Sequence, residues 1–261
     1  MKVAFPLRKK GKKHTVRVGV YFISNCFYYS FFTIEQQFIS GITEDIGQLT
    51  TLLVKQYHYT KQQILYVSVL PMHLVWRTRY HYPQKTTQYL LEQQVYHLLE
   101  TDLPHDGSPI WFDYLYQDDY LELYVVKQQN AEQEIEKYLP LQLNVLDVFS
   151  RVLLRAFRYL INKKSSETVL YCYYAEQCIF LLDSPYKTEI LVIQEDFPNG
   201  WEKFTTSFNV KFSTCVLFQS EKRKSEDITA VINYENVQQL STLSEGELIS
   251  LGCALWGQNE Q

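Results

Sequence analysis

Nothing in this 261-residue sequence approaches the 18 consecutive apolar residues that a membrane-spanning helix requires. Its first basic residues are followed by no apolar stretch of the signal-peptide kind, so the expected address is the cytoplasm. Cysteine is scarce and scattered. Cys26, Cys172, Cys178, Cys215 and Cys253 form no Cys-x-x-Cys pair, and each lies in an apolar run, as buried reduced thiols do. The six histidines show no His-x3-His spacing, which argues against a metal site. Also missing are the Gly-x-Ser-x-Gly elbow, the P-loop, the dinucleotide fingerprint and His-Glu-x-x-His. Acid pairs such as Asp118-Asp119 and Glu195-Asp196 read as loop solvation rather than as an acid–base couple.

What is present is an ordinary globular balance, 46% hydrophobic and 21% charged, with an excess of aromatics at 15%, including 21 tyrosines. Many of these rings lie in strand-like runs, where flat amphipathic side chains pack well. The length suffices for one large or two medium domains. The net charge of −4 hides an asymmetry. Lys2, Arg8, Lys9, Lys10, Lys12, Lys13 and Arg17 stand at the start with no acid among them, leaving 18 basic against 29 acidic residues beyond. Residues 1–14 thus form a basic arm. It reads as a solvated terminus, as a contact to an anionic membrane surface at about 1 kcal/mol per charge, or as a contact to nucleic-acid phosphate. The acidic remainder ranks nucleic acid last, and no specific nucleic-acid binding is expected.

The chain is organised around a hairpin, Val16 to Phe32, two β-rich runs broken by Ser24-Asn25. Ile34–Ile39 extends it as a third strand, and Thr43 caps a helix running to about Tyr57 with Ile46, Leu49 and Leu53 inward. Ile64–Leu70 reads as a strand covered on both faces, stopped by Pro71. Then come a strand Leu74–Tyr82, a helix from Thr86 or Thr87 to about Glu100, and strands Ile110–Tyr116 and Tyr120–Lys127. Asn130 caps a short helix through Tyr138, and Leu141–Leu146 is a strand. Asp147 opens the most apolar helix, Val148–Ile161, with Arg151, Arg155 and Arg158 along one seam. Lys163-Lys164-Ser165-Ser166 is the clearest break. Beyond it the meander repeats in Thr168–Tyr174, Gln177–Leu182 and Glu189–Ile193. A helix from Pro198 to about Phe208, a strand Phe212–Gln219, a short strand Thr229–Val231 and a helix Gly246–Trp256 complete the chain.

Two meanders, each followed by helices, with a buried helix between them, resemble the duplicated actin-like, ribonuclease H-like α/β fold. The motifs Val18-Gly19-Val20, Val67-Ser68-Val69-Leu70-Pro71, Leu103-Pro104, Phe112-Asp113-Tyr114, Leu146-Asp147-Val148 and Leu251-Gly252-Cys253-Ala254-Leu255-Trp256-Gly257 occur in order along nearly the whole chain. In this they resemble the PilM-type pilus-assembly family, in the short branch that includes competence protein ComA and its relative HofM. That resemblance implies a first half over 15–162 with an inserted α/β subdomain at about 64–127, and a shortened second half over 163–261. It implies a scaffold peripheral at the inner membrane, binding the cytoplasmic tail of a PilN-like bitopic protein in a type IV pilus or DNA-uptake complex. Trp76, Tyr80 and Tyr82 are candidates for that contact, with core packing as the rival reading.

Longer members of the family bind ATP with magnesium. Here the two phosphate loops are expected at Tyr21-Phe22-Ile23, running into Ser24, and at Tyr171-Cys172-Tyr173. Tyrosine cannot take the place of a magnesium-binding carboxylate, and a non-glycine residue keeps the backbone from phosphate. Gly19, Tyr21, Ile23, Ser24, Asp147, Tyr171, Tyr173 and Gly252 are therefore expected to mark a vestigial nucleotide site with no catalytic residue, no metal and no cofactor. Asp147 stands where such folds position water, but an acid at a helix start reads first as a helix cap. Gly252 matches an adenosine-side glycine and is equally a packing glycine. The alternative is a switch that keeps ATP and magnesium through altered ligands.

Overall fold

Val16–Ile23 (β1) and Cys26–Phe32 (β2) pair antiparallel, with Ile23 opposite Cys26. The two residues between them, Ser24 and Asn25, both take left-handed backbone (φ 52° and 63°). Such a turn follows the right-handed strand twist. The computed structural model describes residues 15–82, 88–103, 107–117, 120–164, 166–208, 211–232, 234 and 236–257. The basic arm, the expected caps at Thr86 and Thr87, Pro104 and the Asp118-Asp119 turn lie outside these residues.

The third strand is Phe38–Thr43 (β3), later than Ile34–Ile39, because a turn intervenes: the Thr33 N–H donates to the Gln37 carbonyl (2.9 Å), and Gln36 has φ 62°. Thr43 does not cap a helix. Asp45 Oδ1 accepts from the Gly47 N–H (2.9 Å), and α1 spans Gly47–Lys55. Ile64–Leu70 (β4) then pairs parallel to β1. After Pro71 the chain leaves for an insertion made of Val75–His81 (β5), Gln88–Thr101 (α2), Ile110–Gln117 (β6) and Tyr120–Lys127 (β7). These strands form a sheet of their own in the order β5-β7-β6. The insertion thus begins near Val75 rather than Ile64, and β4 belongs to the main sheet.

Gln128–Glu136 (α3) follows β7 directly; Lys127, not Asn130, stands before it in extended backbone. Leu143–Val148 (β8) pairs parallel to β4 and closes the first sheet, in the order β3-β2-β1-β4-β8. Phe149–Ile161 (α4) buries Phe149, Val152, Leu153, Ala156 and Phe157, each large side chain contributing about 1.5–3 kcal/mol. Asn162 ends it in left-handed backbone (φ 50°).

The second half repeats the scheme with Val169–Tyr174 (β9), Cys178–Asp183 (β10), Thr188–Ile193 (β11), Phe197–Ser207 (α5) and Thr214–Gln219 (β12). Thr229–Ile232 (α6) is a helical turn where a strand was expected, and Val237–Gln239 (β13) is a strand the sequence did not announce. The second sheet runs β11-β10-β9-β12-β13, which matches the first strand for strand, so the fold is a duplicated α/β actin-like fold. Glu245–Ala254 (α7) is the last helix among the described residues, with Ser244 and Glu247 capping its first turn reciprocally.

The layers follow from which face each residue takes. Leu49 and Leu53 of α1 cover Val16, Val18, Val20, Phe27 and Phe31 on the outside of the first sheet. Phe197, Phe204, Ile228 and Ile232 cover the outside of the second. Between the sheets lie α4 and α7, in one core with Val67, Val69, Tyr171, Tyr173, Ile179, Leu181, Val216 and Phe218. Helix α7 comes from the second half of the sequence yet packs on the first sheet, with Ser250 Oγ 2.8 Å from Ser30 Oγ of β2. The insertion reaches the second half through Arg79 Nη1, which donates to Glu189 Oε2 of β11 (3.1 Å) while its guanidinium lies over the Tyr120 ring.

Candidate functional site

β1 and β9 hold the same central place in their sheets, and their turns open on one cleft. A cavity of ≈ 320 Å³ there is lined by Tyr21 and Ile23 of β1, Ala175 and Glu176 of the β9–β10 turn, Ser220, Lys222 and Arg223 after β12, and Glu245 at the start of α7. Four segments distant in sequence meet at this point.

Tyr173, one turn-ward step along β9, stacks on Phe218 (ring centroids 5.5 Å apart) and donates its hydroxyl to Glu245 Oε1 at 2.6 Å. Burial raises the pKa of both Tyr173 and Tyr21 far above the usual phenol range, and the Glu245 charge pushes in the same direction. Burial also raises the Glu245 carboxyl, against the lowering effect of the Tyr173 hydrogen bond. Of the remaining charges Arg223 is held by protein partners, whereas Lys222 and Glu176 are exposed and only loosely paired, and the Lys222 charge also lowers the Glu245 carboxyl. Arg223 donates Nε to the Ala175 carbonyl (3.1 Å) and Nη1 to Glu226 Oε1 (3.2 Å), and Lys222 Nζ lies 3.9 Å from Glu176 Oε1.

The expected site residues are only partly brought together. Tyr21 and Ile23 line the cleft, whereas Tyr173 is buried beneath it and reaches it only through its hydrogen bond to Glu245. Ser24 is exposed in the β1–β2 turn and is not among the cavity's lining residues. Tyr171 is not in a loop: it is buried mid-strand, stacked on Phe157 of α4 at 5.0 Å, its hydroxyl without a hydrogen-bond partner. The second turn is Ala175–Gln177, so the Tyr171–Tyr173 placement was set too early along the strand.

Asp147 is neither a cap nor part of the lining; it sits in β8, with Val148 standing before α4 instead. Its carboxylate is bound by Arg155, whose Nε donates to the Gly252 carbonyl at 3.1 Å, tying β8, α4 and α7 together. Burial alone would raise this carboxyl, but Arg155 and Arg151 hold it below the usual range. Gly19 and Gly252 are both packing glycines. A Cβ on Gly19 would lie 1.9 Å from the Ser250 carbonyl oxygen, and one on Gly252 would lie 2.1 Å from that of Val152.

Trp76, Tyr80 and Tyr82 pack in the insertion's own core against α2, with Leu91, Val95, Leu98 and Leu99. Tyr80 Oη donates to Asp102 Oδ2 (2.7 Å), and the Tyr82 carbonyl accepts from Tyr116 Oη (3.1 Å). None of the three borders the cleft. Glu176, Ser220, Lys222, Arg223 and Glu245 went unmarked in the sequence. The Ser244-x-x-Glu247 box was the one available signal, since it fixes Glu245 as the first helical residue.

A magnesium triphosphate fits this lining poorly. Among the described residues no group of three metal-ligating side chains occurs. Neither turn offers a glycine, and the carboxylates of Glu176 and Glu245 would face the phosphates. At the start of α7 the Ser244–Glu247 box engages the amides of Ser244 and Glu247, and the Glu245 carboxylate stands in the same first turn, where it would repel an anion.

The fold has counterparts among solved structures. The chain superposes on a structure described as the PilM-PilN type IV pilus biogenesis complex with a TM-score of 0.60 at 12% identity, covering 93% of this chain and 98% of the other. A protein from Bacteroides thetaiotaomicron with an actin-like ATPase fold and unknown function gives 0.51 at 8% identity, covering 92% and 96%. The cytoplasmic domain of EpsL, an inner-membrane component of the type II secretion system of Vibrio cholerae, gives 0.51 at 11%, covering 93% and 99%. No protein-family model and no curated protein sequence matches the chain. Among the described residues no helix is long and apolar enough to cross a membrane.

Proposed function

We propose that this chain is a non-enzymatic, actin-like scaffold of an envelope assembly machine of the pilus or secretion kind. In this reading it sits in the cytoplasm at the inner membrane and holds the short cytoplasmic tail of a PilN-like bitopic partner. The similarity to the PilM-PilN complex and to the EpsL cytoplasmic domain supports the assembly role. The observation that carries the non-enzymatic part is the lining of the cleft, where Tyr21 and Ile23 stand at the first turn and the Glu176 and Glu245 carboxylates face the space a phosphate would need. An extended tail would gain main-chain hydrogen bonds at a sheet edge and specificity from pockets beside it. Assembly of a pilus, uptake of DNA, or both would be compatible roles of the machine.

A nucleotide-holding switch of the same machinery is the second reading, and Lys222 and Arg223 at the cleft favour it. Titration calorimetry with Mg-ATP separates the two. The scaffold predicts no saturable heat up to millimolar nucleotide, together with co-purification of a tailed inner-membrane protein in nucleotide-free buffer. Micromolar Mg-ATP binding that Tyr21→Ala abolishes would overturn it.

A further inference from the structure

We infer that β3 is a self-pairing edge, to which a second copy of this chain adds its own β3 antiparallel, joining the two first sheets into one. The first ground is what this strand lacks. Sheet edges are ordinarily kept short or given charge, because their free N–H and C=O groups otherwise accept another strand. Among the described residues, the edge strand β13 has three residues, and β5, β6, β8 and β11 carry Arg77 and Arg79, Asp113, Asp147 and Glu189. By contrast β3, Phe38–Thr43, has six residues and no charge, and β2 is its one strand neighbour among the described residues. The second ground is the face beside that edge. Ser40 stands opposite Ser30, which contacts Ser250 of α7, so Phe38, Ser40 and Ile42 share the face that α7 lies on. The cover is incomplete at β3: Phe38 and Ile42 are 36% and 56% exposed. Phe38 packs on Phe32 (ring centroids 5.3 Å), and Phe32 meets the exposed Tyr159 ring of α4 edge-on (5.4 Å), so an apolar ledge runs along the open edge.

A second copy fits this edge by symmetry and by charge. With Ser40 opposite its own counterpart, Phe38 of each copy faces Ile42 of the other, a ring against a β-branched chain on both sides of the two-fold axis. No like charges meet within the paired span, because residues 36–43 carry none. Glu35, Glu44 and Asp45 lie just beyond its ends and set the salt response. Two copies repel there, so added salt strengthens their pairing, whereas a basic tail laid on the same edge would be released by salt. Two strands of this length bury less than the about 1,200 Å² of a stable complex, so the dimer is a weak one, with dissociation on the order of 10–100 µM.

The inference stands apart from the scaffold reading, since neither the cleft nor a partner's tail enters it. Sedimentation velocity of the full chain, over a range of about 5 to 500 µM, tests it. The wild type should pass from monomer to dimer, and more readily at high than at low salt. Ile42→Lys gives the edge the charge that such strands ordinarily carry, and should weaken dimerisation at least tenfold while leaving the urea midpoint unchanged. The control Tyr186→Lys, at an exposed ring in the β10–β11 turn, should change it less than threefold. A short bis-maleimide should join Ser40→Cys to itself at least ten times faster than it joins the wild type with its own cysteines, because Ser40 lies on the two-fold axis. If Ile42→Lys does not fold, Ser40→Lys replaces it, setting like charges face to face with the same tenfold loss expected. A monomer across the whole range, a dimer that neither lysine variant weakens, a dimer that salt dissociates, or no faster joining of Ser40→Cys overturns the inference.

Discussion

Substituting Gly252 by alanine tests the close approach of α7 to α4. The added Cβ would lie 2.1 Å from the Val152 carbonyl oxygen and 2.8 Å from its carbonyl carbon, both backbone atoms of α4 that no rotamer change can move. Relief requires α4 and α7 to separate by about 1 Å in a core as dense as an organic crystal. Helix α4 cannot retreat freely, because Phe157 stacks on Tyr171 at 5.0 Å and Phe149 meets Tyr173 edge-on. Overpacking costs about 1–3 kcal/mol, and weakening the Arg155 bond to the Gly252 carbonyl adds about 1 kcal/mol. Alanine's better helix propensity returns about 1 kcal/mol. A net loss of about 1–3 kcal/mol should lower the urea midpoint by about 0.3–1 M, for a slope of about 3 kcal/mol/M. Equilibrium urea unfolding followed by circular dichroism, without nucleotide, reads this directly. An unchanged or raised midpoint would refute the close helix crossing and return Gly252 to the candidates for a ligand role.

Four further substitutions probe separate parts of the structure. Asp147→Asn leaves the buried Arg155 without its carboxylate and should cost about 3–5 kcal/mol at pH 7 by urea unfolding. Because the folded Asp147 pKa lies below its unfolded value, that stabilisation is complete above about pH 4 and is lost as pH falls further, so wild type and variant should converge in acid. Tyr171→Phe removes a buried hydroxyl that has no partner, and melting should show a change between zero and a gain of about 1 kcal/mol. Glu245→Gln should gain on wild type as pH rises from 4 to 8. Burial raises the folded Glu245 pKa, so the wild-type contribution is whole below the unfolded value and lost as pH rises through the folded one. Asn25→Gly suits the left-handed turn position (φ 63°) and should stabilise by about 0.5–1 kcal/mol in thermal melts; destabilisation would contradict the turn geometry.

The first hairpin was legible because its signal is local. Two β-rich runs separated by Ser24-Asn25 leave one register, and β1 and β2 take it. The α4 stripe was legible for the same reason, since Phe149, Val152, Leu153, Ala156 and Phe157 recur with the helical period. The turn of the second hairpin was legible too, since the strands Thr168–Tyr174 and Gln177–Leu182 leave Ala175-Glu176 between them, but the phosphate loop was placed inside the strand at Tyr171–Tyr173, where no glycine or acid marks a loop. Asp147 was read as a cap because an acid before an apolar helix looks alike whether it bonds amides or answers an arginine eight residues on. The cleft itself could not be read. Its lining comes from β1, the β9–β10 turn, the segment after β12 and the start of α7, and no spacing in the chain links Tyr21 to Glu245.

The position of α7 bears on how the protein is made. As the chain leaves the ribosome, the first sheet can pair and gain its outer cover from α1 early, but Gly19 and Ser30 look toward a helix that is still unsynthesised. Until residues 245–254 emerge, that inner face stays bare and apolar, open to chaperones or to the wrong neighbour. Synthesis stopped short of α7 should therefore yield not a working half but an insoluble one.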